Sequence, residues 1–74
     1  MIEIEFNLHL ASVMGKKHLS LDIGESIPMP ELRDRLGLTG HDLGILLIND
    51  VWAPLDSIVK DGDSIKIYPF MEGG

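Results

Sequence analysis

The chain has 74 residues, which suits one small domain and leaves no room for a second. Hydrophobic residues make up 45 % and charged residues 24 %, a globular composition, and the absence of cysteine excludes disulfides, thiolate metal ligands and a thiol nucleophile. The formal net charge of −6 disfavours nucleic-acid backbones and anionic membranes as partners and favours a protein with a basic docking face.

An alternating pattern opens the chain and predicts its first strand. Apolar side chains occupy every second position from residue 2 to residue 10, with polar side chains between them, which is the period of a half-buried strand. Residues 11–17, which include Gly15, predict a turn. A second alternation over residues 19–23 completes a predicted N-terminal hairpin.

Two prolines mark the start of a short helix. Pro28 and Pro30 are unfavourable inside a helix but suit its first turn, where Glu31 would interact with the positive end of the helix dipole. Gly37 can adopt the left-handed conformation that ends a helix. The sequence therefore predicts a crossover helix of about two turns that depends on packing against a sheet.

The following segments predict two more strands and the turn between them. The run Ile45–Ile48 has no polar alternation, so we expect a central strand covered on both faces or nearly so. Asn49 and Asp50 are typical of a tight turn, and residues 51–53 predict a short return strand that Pro54 ends.

The last segment predicts a strand that leads to the C-terminus. We expect Leu55 and Ile58 to anchor the preceding loop under the sheet, and Asp-Gly-Asp at residues 61–63 to turn the chain into a strand over residues 64–70. In that strand Ile65 and Ile67 share one face, and Lys66, Tyr68 and Phe70 share the other.

The order of elements, ββαβββ or ββαββ, predicts a β-grasp topology. This is an α+β, ubiquitin-like fold with a mixed sheet of about four to five strands and one short crossover helix. We expect the last strand to pair in parallel with the first, and the C-terminus to leave from the edge of the sheet. The predicted domain spans residues 1–70, and residues 71–74 form a free tail.

The sequence ends in Gly73-Gly74. This pair offers a peptide without side chains, ending in a carboxylate, that a partner's narrow active-site channel could admit. We expect the Gly74 carboxylate to be the reactive group and Gly73 to permit threading. Residues 71–74, extended at ~3.3 Å each, would reach roughly 13 Å from the last strand.

The C-terminal motifs of the chain occur in a characteristic order. They are the turn at residues 49–50, Asp61-Gly62-Asp63, the alternating strand, Pro69 and Gly73-Gly74. In this order residues 47–74 resemble the ubiquitin-like sulfur carrier family, which comprises the small subunit of molybdopterin synthase, the sulfur carrier of thiazole synthesis and their relatives. Two positions depart from that pattern: Asp50 stands where many relatives have Gly, and Met71-Glu72 replaces smaller residues.

The resemblance implies a sulfur carrier that is a co-substrate and not an enzyme alone. An E1-like adenylyltransferase would use ATP and Mg²⁺ to convert the Gly74 carboxylate to an acyl-adenylate, and a sulfur donor would turn this into a thiocarboxylate. A larger synthase subunit, of molybdopterin synthase or of thiazole synthase, would use the sulfur, and we favour the pterin acceptor. No Gly-rich phosphate loop opens a helix, so we expect ATP to bind to the partner and no cofactor to bind to this chain.

Aromatic residues near the C-terminus are candidates for partner binding. Tyr68 and Phe70 would form the apolar part of a docking surface beside the tail, although Phe70 could instead fold back onto the domain. Met71 and Glu72 would tune the choice of partner. For Trp52 we expect packing over a sheet edge and not partner contact.

Histidines and aspartates elsewhere do not predict a metal or catalytic site. His9, His18 and His41 lie in different segments without ligand-like spacing. Asp61 and Asp63 flank a glycine and are explained by turn formation, without an accompanying nucleophile or general acid.

The predicted location is cytoplasmic. The N-terminal residues lack the pattern of a secretory signal, and the longest apolar run is far shorter than the ~20 residues needed to span a bilayer. Two alternatives to the sulfur carrier remain: a ubiquitin-like protein modifier whose terminus forms an isopeptide with lysine, and a passive β-grasp interaction module.

Overall fold

The computed structural model describes residues 1–70. Within this range the elements are β1 (Ile2–Phe6), α1 (Leu10–Met14), β2 (His18–Leu21), β3 (Ser26–Pro28), α2 (Met29–Leu36), β4 (Ile45–Ile48), β5 (Val51–Ala53), β6 (Ile58–Lys60) and β7 (Ser64–Tyr68). A five-stranded sheet has the order β2-β1-β7-β4-β5, and β3 pairs with β6 in a separate two-stranded sheet. Neither helix is long and apolar enough to cross a membrane.

The large sheet is mixed, as predicted. β7 pairs in parallel with β1 and antiparallel with β4, while β2 and β5 form the two edges. The expectation that the chain leaves from a sheet edge is therefore wrong, because β4 joins the sheet beside β7 and places the last strand at its centre. The C-terminal strand is held by hydrogen-bonded neighbours on both sides.

One face of the sheet carries the hydrophobic core. Phe6 and Ile67 face each other across the parallel ladder, and both are fully buried. Leu10 of α1 and Leu32 of α2 are also fully buried in the same cluster, so both helices cover this one face. Removal of this apolar surface from water is the main stabilising contribution to a domain of this size.

The first strand is shorter than predicted, and a helical turn replaces part of the hairpin. β1 ends at Phe6, Leu8 has a positive φ of 56°, and α1 begins at Leu10. Leu10 and Met14, four residues apart, then pack on the core, while Leu8 is exposed. The alternation through residue 10 is therefore misleading, because Leu10 reaches the core from a helix.

The crossover helix and the tight turn agree with the sequence. α2 spans Met29–Leu36 and ends at Gly37, which has the left-handed φ of 75°. Asn49 and Asp50 both have positive φ, 53° and 66°, as a tight turn between β4 and β5 requires. The fold contains a second helix, α1, in addition to the one that was predicted.

The two-stranded sheet was not predicted, and it corrects the expectation for Leu55 and Ile58. Both side chains are exposed, whereas Val59 is fully buried and pairs with the buried Ile27. Successive side chains of a strand point to opposite faces, so burial of Val59 directs Ile58 to solvent. The segment after β5 is therefore anchored by the pairing of Val59 in β6 with Ile27 in β3, and not by Leu55 or Ile58.

The aspartates of the last turn have structural roles. The Asp61 carboxylate pairs with the N-terminal amine of Met1, and this hydrogen bond lowers the pKa of Asp61. The Asp63 carboxylate accepts hydrogen bonds from the Lys60 backbone N–H (2.9 Å) and from the Asn49 side-chain amide (3.0 Å). Asp63 therefore closes the turn that precedes β7, and Asp61 ties that turn to the N-terminus.

Shortening a side chain in the parallel ladder should reduce stability measurably. We expect Ile67→Val to lower the free energy of unfolding by ~0.5 to 1.5 kcal/mol, because Ile67 is fully buried and loses a methylene. Urea denaturation followed by circular dichroism provides the measurement. The exposed Val13→Ala serves as the control, with an expected change within ~0.5 kcal/mol. Equal losses in both variants would contradict the assigned core.

Candidate functional site

Within residues 1–70, neither helix nor a further strand packs on the face of the large sheet opposite the core. Core residues Leu46 and Ile67 are cross-strand partners, so the residues that alternate with them point the other way. On that face Tyr68 lies opposite Ile45, and Trp52 lies opposite Leu47. β4 is an interior strand, and its side chains on this face, Ile45 and Leu47, are half-buried, so its coverage on this side is partial.

Trp52 is the most informative residue of this face. It lies on the short edge strand β5 and is 73 % exposed, so the expectation that it packs over the sheet edge is wrong. A groove of about 340 Å³ runs beside it, lined by Gly44, Ile45, Leu46, Trp52, Ala53, Pro54 and Leu55. The indole ring and the adjacent groove together leave a large apolar surface open to solvent.

The apolar surface continues to the end of β7. A second groove of about 200 Å³ is lined by Gly44, Ile45, Pro69 and Phe70, and shares its first two residues with the groove beside Trp52. Phe70 is 55 % exposed and Tyr68 is half-buried. We name the set of Ile45, Leu47, Trp52, Tyr68 and Phe70 the apolar face. It includes the two aromatic residues that the sequence assigned to partner binding and Trp52, which the sequence assigned to packing over a sheet edge.

Charges of one sign border the apolar face. Glu3 and Glu5 of β1 lie on this side of the sheet, in register with Ser64 and Lys66 of β7. Lys66 is the only Lys or Arg within the five strands of the large sheet. The border is therefore predominantly acidic.

The single ammonium group of this sheet is already engaged. Lys66 Nζ donates to Asp50 Oδ1 at 2.6 Å, and this hydrogen bond raises the pKa of Lys66 above its ordinary value. A partner that docks here meets apolar groups with carboxylates at their side. Lysine and arginine side chains would complement that border.

A close backbone contact fixes the place where the chain passes beyond β7. The Gly44 N–H donates to the Tyr68 carbonyl at 2.8 Å, and the Phe70 N–H donates to the His41 carbonyl at 3.2 Å. A Cβ at Gly44 would lie 2.6 Å from the Phe70 Cα and 2.8 Å from the Pro69 carbonyl oxygen. Only glycine permits this approach, and Pro69 is fully buried against it.

Asp42 organises the loop that makes this contact. One oxygen of its carboxylate, Oδ2, accepts hydrogen bonds from the Thr39 N–H (2.8 Å) and the Thr39 hydroxyl (2.9 Å). These two bonds, and to a smaller extent the nearby His9 and His41, lower the pKa of Asp42. A lowered carboxyl pKa means that the ionised form is favoured by the fold at neutral pH.

The predicted site residues are only partly within the described structure. The strand predicted to reach residue 70 ends at Tyr68, so Tyr68 lies on the sheet face opposite the core while Phe70 follows the strand and lines the second groove. The predicted residues Met71, Glu72, Gly73 and Gly74 lie outside residues 1–70. Within residues 1–70, no three His, Cys, Asp or Glu side chains group as metal ligands would. Sequence reasoning missed Trp52, Asp42 and Gly44. A lone tryptophan ahead of Pro54 on a very short strand was the available signal for the first.

Comparison with known proteins gives structural relatives only. No protein-family model and no curated protein sequence matches the chain. The crystal structure of SAMP1 from Haloferax volcanii, a small archaeal modifier protein, has a TM-score of 0.75 at 22 % identity, over 99 % of this chain and 98 % of that one.

Two further solved structures match the names that the sequence resemblance suggested. A chain in the complex of subunits 1 and 2 of molybdopterin-converting factor from Helicobacter pylori has a TM-score of 0.60 at 22 % identity, covering 99 % of this chain and 97 % of that one. The thiamine biosynthesis protein ThiS from Geobacter metallireducens has a TM-score of 0.59 at 25 % identity, covering 97 % and 99 %.

The predicted fold resemblance is confirmed. The chain has the β-grasp fold of these ubiquitin-like proteins over nearly its whole length. At these identities the likeness describes the fold, so the activity has to be argued from the chain's own residues.

Substitution of Gly44 should destabilise the end of β7. We expect Gly44→Ala to lower the free energy of unfolding by ~1 to 3 kcal/mol, because the new methyl group would overlap the Phe70 backbone. Thermal and urea unfolding provide the measurement. Gly40→Ala in the same loop is the matched control, since open space surrounds that position, and we expect a change within ~0.5 kcal/mol. If both variants are equally stable, the close contact is absent in solution.

Proposed function

We propose that this chain is a sulfur carrier whose C-terminal glycine carboxylate is activated by a partner and converted to a thiocarboxylate. The observation that carries the proposal is the position of β7. This central strand ends beside the apolar face, and Gly73-Gly74 follows Phe70 after two residues. The described chain thus passes beyond the sheet beside the proposed docking surface, four residues before Gly74 in the sequence. Structural neighbours named for molybdopterin conversion and thiamine biosynthesis support it.

The chemistry follows from the properties of a carboxylate. At neutral pH the Gly74 carboxylate is a poor electrophile, so one of its oxygens first attacks the α-phosphorus of ATP and pyrophosphate leaves. A hydrosulfide-level sulfur supplied by the donor then attacks the carbonyl carbon, and the carbon–oxygen bond to AMP breaks so that AMP leaves. Loss of the proton on sulfur gives the thiocarboxylate, with no change in oxidation state. No thiol of the carrier takes part, in agreement with a chain that has no cysteine.

The chain's own contribution is binding and presentation. We assign partner docking to the apolar face, because Trp52, Tyr68 and Phe70 are the aromatic anchors that dominate protein interfaces. The acidic border formed by Glu3 and Glu5 would steer a partner with a basic rim. Met71 and Glu72 are proposed to tune which partner is accepted, and Gly73 to let the terminus thread into a narrow cleft.

The proposed partners act in sequence. An E1-like adenylyltransferase supplies ATP and Mg²⁺, a sulfur donor supplies the sulfur, and a larger synthase subunit consumes it in the cytoplasm, where ATP is available. We favour a pterin as the acceptor over thiazole, since the molybdopterin-converting factor neighbour occurs in complex with its subunit 2. The chain is thus a co-substrate and not an enzyme alone.

A second candidate function is protein modification. SAMP1, whose structure is similar over nearly the whole chain, is a small archaeal modifier protein. The same activated carboxylate would then form an isopeptide bond with a lysine amine of a target protein. Both functions share the adenylated terminus and differ in the nucleophile that follows.

The mass of the protein from its own host distinguishes these functions. We expect a fraction of the chain to be about 16 Da heavier, as one oxygen is replaced by sulfur, and the increase to map to Gly74 in a C-terminal fragment. Deletion of Gly74 should abolish the shift and leave the melting temperature unchanged within error. A lysine-linked adduct without the shift would favour the modifier. If neither the heavier chain nor a lysine-linked adduct is found, the chain is a passive interaction module.

Removal of an aromatic anchor should weaken partner binding. We expect Trp52→Ala to reduce affinity for the host's purified adenylyltransferase by ~1 to 3 kcal/mol, because the exposed indole is buried on docking. Isothermal titration calorimetry measures the effect, with Phe70→Ala expected to behave similarly. The control is Val13→Ala, which removes an exposed apolar side chain on α1, away from the apolar face. Unchanged affinity for Trp52→Ala would remove this residue from the docking surface.

A further inference from the structure

We propose that Asp42 is a positioning residue for the activation of Gly74, and that it acts through the loop of residues 39–44 on the backbone from which the C-terminal residues continue. The inference rests on the proposed function and adds to it a residue that touches neither the reacting carboxylate nor the partner.

The loop is a compact unit whose conformation depends on Asp42. Its carboxylate oxygen Oδ2 takes both the N–H and the hydroxyl of Thr39, at 2.8 and 2.9 Å, while the Asp42 N–H donates back to the Thr39 carbonyl at 3.0 Å. Three hydrogen bonds between two residues thus close the loop. Buried Leu38 and Leu43 anchor its ends in the core, so the carboxylate controls the part between them.

The residues next to Asp42 hold the end of β7. His41, which precedes it, provides the carbonyl that accepts the Phe70 N–H, and Gly44, two residues after it, donates to the Tyr68 carbonyl. The chain therefore passes from the sheet to Phe70 between two hydrogen bonds of one loop. Rotation of the peptide between His41 and Asp42 would remove the partner of the Phe70 N–H.

The close packing at Gly44 makes the coupling direct. The Gly44 Cα faces the Phe70 backbone so closely that a methyl group would not fit between them. A displacement of the loop consequently moves or releases Phe70. This segment carries the proposed reactive terminus only four residues further along the chain.

The electrostatic surroundings keep Asp42 ionised and therefore able to accept both bonds. The Thr39 donors lower its pKa, and the nearby His9 and His41 contribute in the same direction. An ionised carboxylate makes stronger hydrogen bonds than a neutral acceptor. The loop is thereby closed under the conditions in which ATP-dependent activation takes place.

The functional consequence is orientation. A chain that leaves the domain in one direction presents its end to a partner's cleft more often than one that leaves in many, which raises the effective concentration of the reacting group. Asp42 lies outside the apolar face, but Phe70 belongs to it, so loss of the loop should weaken docking to the extent that Phe70 shifts. The positioning role predicts in addition a slower reaction of the complex once it is fully formed.

Amide hydrogen exchange on the chain alone tests the structural step. We expect Asp42→Ala to raise the exchange rates of the Phe70 and Gly44 amides by about threefold to tenfold, the range for loss of one ordinary hydrogen bond, while amides inside the β1–β7 ladder keep their rates. Asp42→Asn should raise these rates less than Asp42→Ala, because its neutral side-chain oxygen can still accept from both Thr39 donors but binds them more weakly. Thr39→Val should raise the same exchange rates by less than Asp42→Ala does, because it removes the hydroxyl bond and keeps the backbone bond. Thr39→Ser, which keeps the hydroxyl, should exchange like the wild type.

Single-turnover adenylation by the host's adenylyltransferase tests the functional step. With the adenylyltransferase in excess and above the Kd measured for each variant by calorimetry, we expect the single-turnover rate constant of Asp42→Ala to fall by about threefold to tenfold, and Asp42→Asn to restore most of it. Unchanged exchange at Phe70, or faster exchange throughout the ladder, would overturn the positioning role, as would an unaltered single-turnover rate constant at saturation. If the wild-type chain is not adenylated at all, the proposed function falls, and the exchange result then stands as a statement about the loop alone.

Discussion

The parallel pairing of β1 with β7 is the constraint on which the rest of the molecule depends. Ile4 faces Ile65 and Phe6 faces Ile67 across this ladder, and all four side chains are almost completely buried. The pair joins the two ends of the described chain and forms the centre of the sheet, so β2 adds on one side and β4 with β5 on the other. Because β7 is held on both sides, the chain passes beyond the sheet at Tyr68, and the loop of His41 and Gly44 holds Phe70 after it.

Coverage of the sheet on one face only explains where recognition takes place. Both helices bury apolar side chains in the core, which leaves the opposite face to the side chains that alternate with it. β1 places carboxylates there, β4 and β5 place apolar groups, and β7 between them places Tyr68 together with Lys66. Strand order thus sets an acidic border on one side of an apolar surface, which provides both a contact area and a sign of charge for a partner.

Most elements could be predicted where their signals are local. Pro30 and Gly37 bound α2, and Asn49-Asp50 marks the turn, because backbone restrictions act on single residues. The failures have one physical cause. Leu10 is buried, as alternation predicts, but it belongs to a helix and not to the first strand. Val59 is buried, whereas burial was expected for Leu55 and Ile58. A pattern of apolar residues predicts which side chains are buried more reliably than it predicts whether a helix or a strand carries them, because tertiary contacts decide between helix and strand.

The sequence by itself determined the composition-based exclusions, the local turns and helix ends, and the presence of Gly73-Gly74, since each depends on the chemistry of residues that are neighbours in the chain. The tertiary structure alone decided that β7 is central, that Trp52 is exposed and that the loop of Asp42 touches Phe70. These properties arise from contacts between segments far apart in sequence. Local propensity does not determine which segments that are distant in sequence come into contact, and the proposed function depends on those contacts.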